Sequence, residues 1–173
     1  MYAGIDYDTN TVHVVLLPEE EPPRYLPFVM HGHDSFERAR AVREVMPPRG
    51  WWDDEGVIAI GIEDPMQKGP ASRTFLPKLK MIQGAILACL PPGTLVQPFV
   101  ATSWRKEVGL SGRATKEDIA DFVYDAQNQG DAREGDVLEL DTRAFWDAQW
   151  PQDACDAYCL ALCVEKLTEP MAA

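Results

Sequence analysis

The segment 57–62 (VIAIGI) constrains the fold more than any other stretch of the chain, because it has no polar side chain at any position. A strand with one face in water alternates polar and apolar residues, whereas a strand covered by helices on both faces is apolar throughout. Segment 57–62 is therefore predicted to be the central strand of an α/β sheet, with helices packed on each side.

Three further β-rich segments precede this strand, at 3–6, 12–17 and 25–30. The first two are separated by the turn-forming residues 8–10 (DTN), and the second and third by the proline-flanked and glutamate-rich segment 18–23. Short connections of this kind join antiparallel strands. We expect three antiparallel strands here, and a fifth strand of the same sheet at 95–100.

Helical periodicity predicts helices at 34–46, 75–90, 115–127 and 151–167. Asp34 and Glu37 have the spacing of a capping box, Thr115 suits an N-cap, and Pro151 suits a helix start. Pro77 is expected in the first turn of its helix, where a proline is tolerated. Along the chain, three strands come first and most of the helices follow, with a βαβ crossover late in the sequence. This order predicts a mixed five-stranded sheet flanked by helices.

The length of 173 residues suits one compact domain over 1–173. No segment approaches the roughly 20 apolar residues of a membrane span, and the chain does not open on a signal-peptide pattern. We therefore expect a soluble cytoplasmic protein without a membrane partner.

Cys155, Cys159 and Cys163 recur at four-residue spacing within one predicted helix. This spacing resembles neither a disulfide framework nor a CxxC zinc site. The expected role is packing as small apolar side chains, and reduced thiols suit the cytoplasm.

Four acids lie where a predicted strand ends or a predicted helix begins: Asp6, Glu63, Asp153 and Asp156. Asp6 and Glu63 end neighbouring strands at the sheet edge where α/β proteins bind ligands, and Asp153 and Asp156 share one helix face. Because gathered carboxylates repel one another, proteins usually collect them for divalent cations, here Mg²⁺ or Mn²⁺. Two ions about 4 Å apart could serve phosphodiester hydrolysis. For Asp153 and Asp156 alone, a favourable helix dipole is the alternative.

The net charge of −12 by itself argues against a nucleic-acid partner. The distribution of the charges along the chain removes this objection. Segment 65–116 carries +7 and the remainder −19. Phosphate binding depends on the local field, so this segment is predicted to bind a nucleic-acid backbone. An acidic protein with a locally basic surface is the alternative. The predicted contacts are Lys68, Arg73, Lys78, Lys80, Arg105, Lys106, Arg113 and Lys116.

The helix predicted at 75–90 has more apolar residues than one contact with a sheet requires. We expect the surplus to form a homodimer interface, which would present two sites to a two-fold symmetric substrate. The residues in question are Leu79, Ile82, Ile86, Leu87 and Leu90.

Taken together, these features resemble the RuvC-type Holliday-junction resolvases of the RNase H-like nuclease superfamily. The matching segments are 4–6 (GID), 62–63 (IE), 83–88 (QGAILA), 106–110 (KEVGL) with 115–116 (TK), and 153–157 (DACDA). The resemblance implies an RNase H-like fold and a metal-dependent endonuclease that resolves four-way or other branched DNA. It also implies that the four acids hold two Mg²⁺ ions, replaceable by Mn²⁺, that Lys106 and Lys116 contact phosphate near the cut, and that helix 75–90 forms a homodimer.

The chain departs from this family at three places. Met66 stands where the family commonly offers an aromatic residue, the segment 128–150 is longer and more acidic than the usual connection, and Tyr7-Asp8 replaces a small or glycine-rich turn. This compact, divergent form resembles bacteriophage members, which places the protein in the cytoplasm of a bacterium or of a phage-infected host.

Parts of the sequence also fit other functions. The segment 4–9 (GIDYDT) is similar to the phosphate loop of actin-like ATPases and sugar kinases, but those enzymes need two such domains. An inactive nucleic-acid-binding module and a relative acting on RNA or flap substrates remain as alternatives. His31 and His33 could form a metal pair, although two histidines in one loop are more often solvated.

Overall fold

The structure, a computed structural model, describes residues 1–66, 72–130 and 150–168, with the side chains of 72–73 and 127–130 excepted. The predictions for Lys68, for the side chain of Arg73 and for most of the acidic segment 128–150 lie outside the described residues.

Five strands form one mixed sheet in the order β3-β2-β1-β4-β5. The strands are β1 (Tyr2–Tyr7), β2 (Thr11–Leu17), β3 (Arg24–Val29), β4 (Ala59–Glu63) and β5 (Leu95–Phe99). β2 pairs antiparallel with β1 and β3, whereas β4 pairs parallel with β1 and β5. The predicted mixed α/β sheet is confirmed. β4 starts two residues later than predicted, and Ile58, just before it, is 57% exposed.

Six helices surround this sheet in the described part of the chain. They are α1 (Ser35–Val45), α2 (Arg49–Asp54), α3 (Ser72–Cys89), α4 (Ala101–Glu107), α5 (Lys116–Gly130) and α6 (Gln152–Thr168). The sequence did not predict α2 and α4. The prediction that Pro77 lies in the first turn of its helix was wrong, because α3 begins at Ser72 and Pro77 lies inside it.

Side-chain caps define the starts of α1 and α5. The Asp34 carboxylate accepts hydrogen bonds from the backbone N–H groups of Phe36 and Glu37 at 2.8 and 2.9 Å. Glu37 does not complete the expected box, since it accepts from the N–H of His33. Thr115 and Asp118 do form one, each side chain accepting from the other's N–H.

The helices form two layers, each with its own hydrophobic core. α1 and α3 cover the face that carries Ile5, Ile60 and Ile62, and α4, α5 and α6 cover the other face. The predicted packing role of the cysteines is confirmed in the second core, where Cys155, Cys159 and Cys163 are buried free thiols. No helix among the described residues is long and apolar enough to cross a bilayer.

Two paired glycines let α6 lie directly against the sheet. Gly4 of β1 and Gly61 of β4 are register partners. A Cβ atom at Gly4 would overlap the carbonyl oxygen of Ala157, and one at Gly61 would overlap that of Leu160. Because side chains alternate along a strand, the residues two positions after each glycine lie on the same face, at the sheet edge. These residues are Asp6 and Glu63.

Candidate metal centre

Four carboxylates meet at the carboxyl ends of β1 and β4. Asp6 lies near the end of β1, Glu63 is the last residue of β4, and Asp153 and Asp156 lie at the start of α6. Carboxylate oxygens of Asp6, Asp153 and Asp156 all lie within 4.8 Å of one another. The close contact of α6 with the two glycines is what brings its first turns over the strand ends.

The geometry of the three aspartates fits a small divalent cation. Mg²⁺ binds oxygen at about 2.1 Å, so ligands on opposite sides of one ion are about 4.2 Å apart. Adjacent ligands of the same ion lie closer together still, so the three oxygens, which are within 4.8 Å of one another, would have to move inward to bind one ion. These oxygens are hard donors, which favours Mg²⁺ or Mn²⁺ over softer metals.

The electrostatics of Asp6 also favour a cation. Its side chain is buried, and burial raises the carboxyl pKa well above its usual range. The charge of Glu63 and a hydrogen bond with it raise this pKa further, and Asp156 and Asp153 add to the effect. A carboxylate held in this way is costly to ionise unless positive charge is supplied.

Burial also raises the pKa of Asp156, to about 6. A hydrogen bond of 3.0 Å from the Gln152 amide and the charge of Arg105 act in the opposite direction, while Glu63 and Asp153 raise the pKa. Arg105 on α4 is half-buried, with its guanidinium carbon 5.2 Å from the ring centroid of Trp104. A predicted nucleic-acid contact therefore lies beside the acids.

A buried glutamine of α3 fixes the end of β4. The Gln83 amide donates to the backbone carbonyl of Glu63 at 3.2 Å and to the Asp64 carboxylate at 3.3 Å. Lys80 forms an ion pair with Asp64 and donates to Gln83 Oε1 at 3.1 Å. Lys80, predicted to contact nucleic acid, is thus engaged in holding the strand end.

On the opposite side, the carboxylate of Asp153 faces a histidine. Nε2 of His13 lies 3.5 Å from Asp153 Oδ2, and Nδ1 lies 2.8 Å from the Tyr25 hydroxyl. Burial lowers the pKa of His13, although Asp153 and Asp8 partly oppose this shift. His31 and His33, the possible metal pair of the sequence, are exposed, and His13 was not predicted. The cross-strand pairing of His13 with Asp6, on one face of the hairpin, was the signal that could have found it.

The remaining predicted basic contacts lie in both helical layers. Lys78 on α3, Lys106 on α4, Arg113 before α5 and Lys116 at its start are all exposed. Lys78 lies over the ring of Phe75, 5.8 Å from its centroid. The basic segment of the sequence is therefore distributed over two layers.

No protein-family model and no curated protein sequence matches the chain. Solved structures do match it. A Thermus thermophilus RuvC structure is 18% identical, with a TM-score of 0.60, and the match covers 98% of this chain and 95% of that one. T. thermophilus RuvC in complex with a Holliday junction substrate is 16% identical, with a TM-score of 0.63, over 98% and 94% of the two chains. The chain therefore has a RuvC-like fold, as the sequence resemblance predicted.

Proposed function

We propose that this chain is a divalent-metal-dependent endonuclease that cuts branched DNA, with four-way junctions as its main substrate. The observation that carries the proposal is the meeting of four carboxylates at one sheet edge, where buried Asp6 has a strongly raised pKa. The RuvC-like fold supports the choice of substrate, because T. thermophilus RuvC has been solved with a Holliday junction substrate.

Asp6, Glu63, Asp153 and Asp156 would hold the metal, with Mg²⁺ as the natural ion, Mn²⁺ as a substitute, and two ions per site. Bound divalent ions would lower the pKa of the attacking water. They would also stabilise the negative charge on the leaving oxygen of a phosphodiester. Arg105, whose charge acts on Asp156, would attract the phosphate group. Gln83 holds the backbone of Glu63 and so keeps its carboxylate at the edge.

A purely structural explanation accounts for only part of this arrangement. An acid in the first turn of α6 is stabilised by the helix dipole, which would explain Asp153. It does not explain Asp6, which lies on a strand and is buried next to Glu63. Burying an ionisable group beside like charges is destabilising in itself, so its presence favours a functional role.

The test is a cleavage assay with matched four-way junction, flap, duplex, single-stranded and RNA–DNA substrates, each with Mg²⁺, with Mn²⁺ and with EDTA. We expect metal-dependent paired nicks in the junction and much slower cutting of duplex. Preferential cutting of the flap or the hybrid would favour the alternative nuclease. Junction binding without cleavage under all conditions would identify an inactive binding module.

A cytoplasmic setting, in a bacterium or a phage-infected host, belongs to the same proposal.

Lys106→Ala with Lys116→Ala is expected to weaken junction binding for every sequence tested. Both side chains are exposed, on α4 and at the start of α5, where contacts with phosphate would position DNA without reading its bases. Each lost phosphate contact should reduce the slope of log affinity against log salt by about 0.9. Titration of a labelled junction between low and moderate salt, in EDTA, measures both quantities.

The matched control for this pair is Arg40→Ala with Arg43→Ala, which removes two exposed charges from α1. It should change the slope far less. Equal slopes for the wild type and the lysine double variant would show that the DNA does not contact this side of the site.

The homodimer proposal rests on the exposed residues of α3. Of the five predicted interface residues, Ile82, Ile86 and Leu90 are buried in the core of the single chain and Leu79 is partly buried against it. Leu87 is the one that is exposed, at 42%. Four exposed residues of α3, which follow one another at intervals of four, three and four positions, form an apolar stripe on the helix: Pro77, Met81, Gly84 and Ala88. Gly84 has open space above it, which would let a second helix approach closely.

Met81→Glu should convert a micromolar dimer into a monomer without unfolding it, because Met81 is already 37% exposed. Sedimentation velocity measures this, and Tyr124→Glu, at another exposed apolar residue on α5, is the control expected to remain dimeric. A wild-type protein that sediments as a monomer at micromolar concentration, including with junction DNA, would contradict the dimer.

A further inference from the structure

His13 is a buried polar residue whose ring connects the candidate metal centre to the edge strand of the sheet. It lies on β2 with only 7% of its surface exposed. Nε2 faces Asp153 Oδ2 at 3.5 Å, and Nδ1 lies 2.8 Å from the hydroxyl oxygen of Tyr25 on β3. Both ring nitrogens therefore face polar groups, and one of these groups is a candidate metal ligand.

The chemistry of the two neighbours fixes the tautomer of the ring. A carboxylate can only accept hydrogen bonds, so a neutral imidazole must carry its proton on Nε2 when it faces Asp153. Nδ1 then has a free lone pair and accepts from the O–H group of Tyr25. The phenol thus donates to the imidazole, and the N–H group of the imidazole faces the carboxylate at an ion-pair distance of 3.5 Å.

Aromatic packing holds this chain in place. The ring of Tyr25 is stacked on that of His13, with centroids 5.9 Å apart and an interplanar angle of 4°. On its other side Tyr25 contacts Trp150, and Trp150 contacts Tyr158 of α6 in an edge-to-face arrangement. The same aromatic residues therefore join β2, β3 and the helix that carries Asp153.

We propose that His13, oriented by Tyr25, is a positioning residue that holds the Asp153 carboxylate toward the divalent ion. The inference rests on the proposed metal-binding role of the four acids. Asp153 is the candidate ligand that needs such help, because 38% of its side chain is exposed and it can rotate into solvent. Hydrogen bonds to metal-ligating carboxylates reduce this freedom before the ion arrives.

The test measures Mn²⁺ binding by calorimetry, at fixed pH and without DNA, in His13→Ala, His13→Gln and Tyr25→Phe. His13→Ala should weaken the affinity by about 10- to 100-fold, the usual effect of removing such a partner. His13→Gln, whose amide can donate to Asp153 and accept from Tyr25, should restore most of it. Tyr25→Phe removes one oxygen and keeps the ring, and should have a smaller effect in the same direction.

Further readouts separate positioning from general packing. Junction affinity in EDTA should be unchanged in all three variants, while the Mg²⁺ concentration for half-maximal cleavage should rise in parallel with the loss of Mn²⁺ affinity. His31→Ala, at an exposed histidine, is the control and should match the wild type. The double variant His13→Ala/Tyr25→Phe should bind Mn²⁺ no more weakly than His13→Ala, because Tyr25 acts only through His13.

The proposal is overturned if folded His13→Ala binds Mn²⁺ within about two-fold of the wild type, since outer-partner losses are normally far larger. If His13→Ala fails to fold, unchanged affinity in Tyr25→Phe overturns it equally. Failure of the proposed function has a different signature: the wild-type protein would bind no more Mn²⁺ than Asp6→Asn, and the His13 inference would fall with it.

Discussion

Asp6→Asn is expected to lower the rate of Mg²⁺-dependent junction cleavage by at least about a thousand-fold. Charge stabilisation by active-site metal ions contributes several kcal/mol, and about 4 kcal/mol corresponds to that factor in rate. Asp6 is the buried member of the cluster, next to Glu63 and within 4.8 Å of Asp153 and Asp156, so an amide there would remove a proposed ligand from the centre of the site. Glu63→Gln, Asp153→Asn and Asp156→Asn should also abolish cleavage.

The same substitution should stabilise the metal-free protein at neutral pH. A carboxyl whose pKa is raised by folding contributes stability at pH values below its unfolded pKa and loses that contribution as pH rises through the folded pKa. The pKa of Asp6 is raised well above its ordinary value of 3.8, and that of Asp156 is raised from 3.8 to about 6. The metal-free wild type should therefore become less stable as the pH rises from about 4 to 6, and it should continue to lose stability above pH 6. The loss of stability should be smaller in Asp6→Asn.

Thermal unfolding in EDTA and in Mg²⁺, with junction binding and cleavage measured on the same preparations, tests both expectations. Added Mg²⁺ should raise the melting temperature of the wild type and have little effect on Asp6→Asn. Asp54→Asn, an exposed acid at the end of α2, is the control and should cleave normally. Near-normal Mg²⁺-dependent cleavage by any of the four variants would remove that acid from the site.

The sheet and the position of the acids could be predicted from sequence because they depend on local patterns. Segment 57–62 is apolar throughout, and in the structure its last four residues, 59–62, form a central strand that is buried on both faces. The short turn at 8–10 fixes the first hairpin, where Asp8 accepts from the backbone N–H groups of Asn10 and Thr11. Once these strands are assigned, Asp6 and Glu63 must lie at the same edge, because β1 and β4 run parallel.

The short helices α2 and α4 could not be predicted, because the sequence has no such local pattern there. They have six and seven residues, too few to show a helical period, and neither has a side-chain cap among the described residues. Their positions depend on burial of Trp52 and Trp104, each fully inaccessible to solvent. Packing against a finished sheet, rather than local propensity, holds such segments in a helix.

Long-range contacts account for the other omissions. Gln83 reaches Glu63 across 20 residues, and Asp153 meets His13 only after α6 has packed on the sheet. Ile82, Ile86 and Leu90 were predicted at a dimer interface because the sequence does not show how much of α3 the sheet and α1 already cover. Composition gives the amount of apolar surface on a helix but not the partner that buries it.

Gly4→Ala should destabilise the protein by about 3 kcal/mol, the upper part of the usual range for overpacking. The added Cβ would overlap the carbonyl oxygen of Ala157 and lie 2.6 Å from the N atom of Ala161. Both are backbone atoms of α6, so no side-chain rotation can relieve the clash and the helix itself must move. For a chain of this length the melting temperature should fall by roughly 6–12 °C.

Movement of α6 should also reduce metal binding, which distinguishes this variant from one that only loses stability. Asp153 and Asp156 lie just before Ala157 in the same helix, so a shift at Ala157 carries both away from Asp6. Calorimetry with Mn²⁺ below the melting temperature should show weakened binding by folded Gly4→Ala. Gly50→Ala is the matched control, because Gly50 is exposed in α2 with open space around it, and the change there should be neutral or slightly stabilising. Equal stability and equal Mn²⁺ affinity in the two variants would mean that the close approach of α6 to β1 does not position the acids.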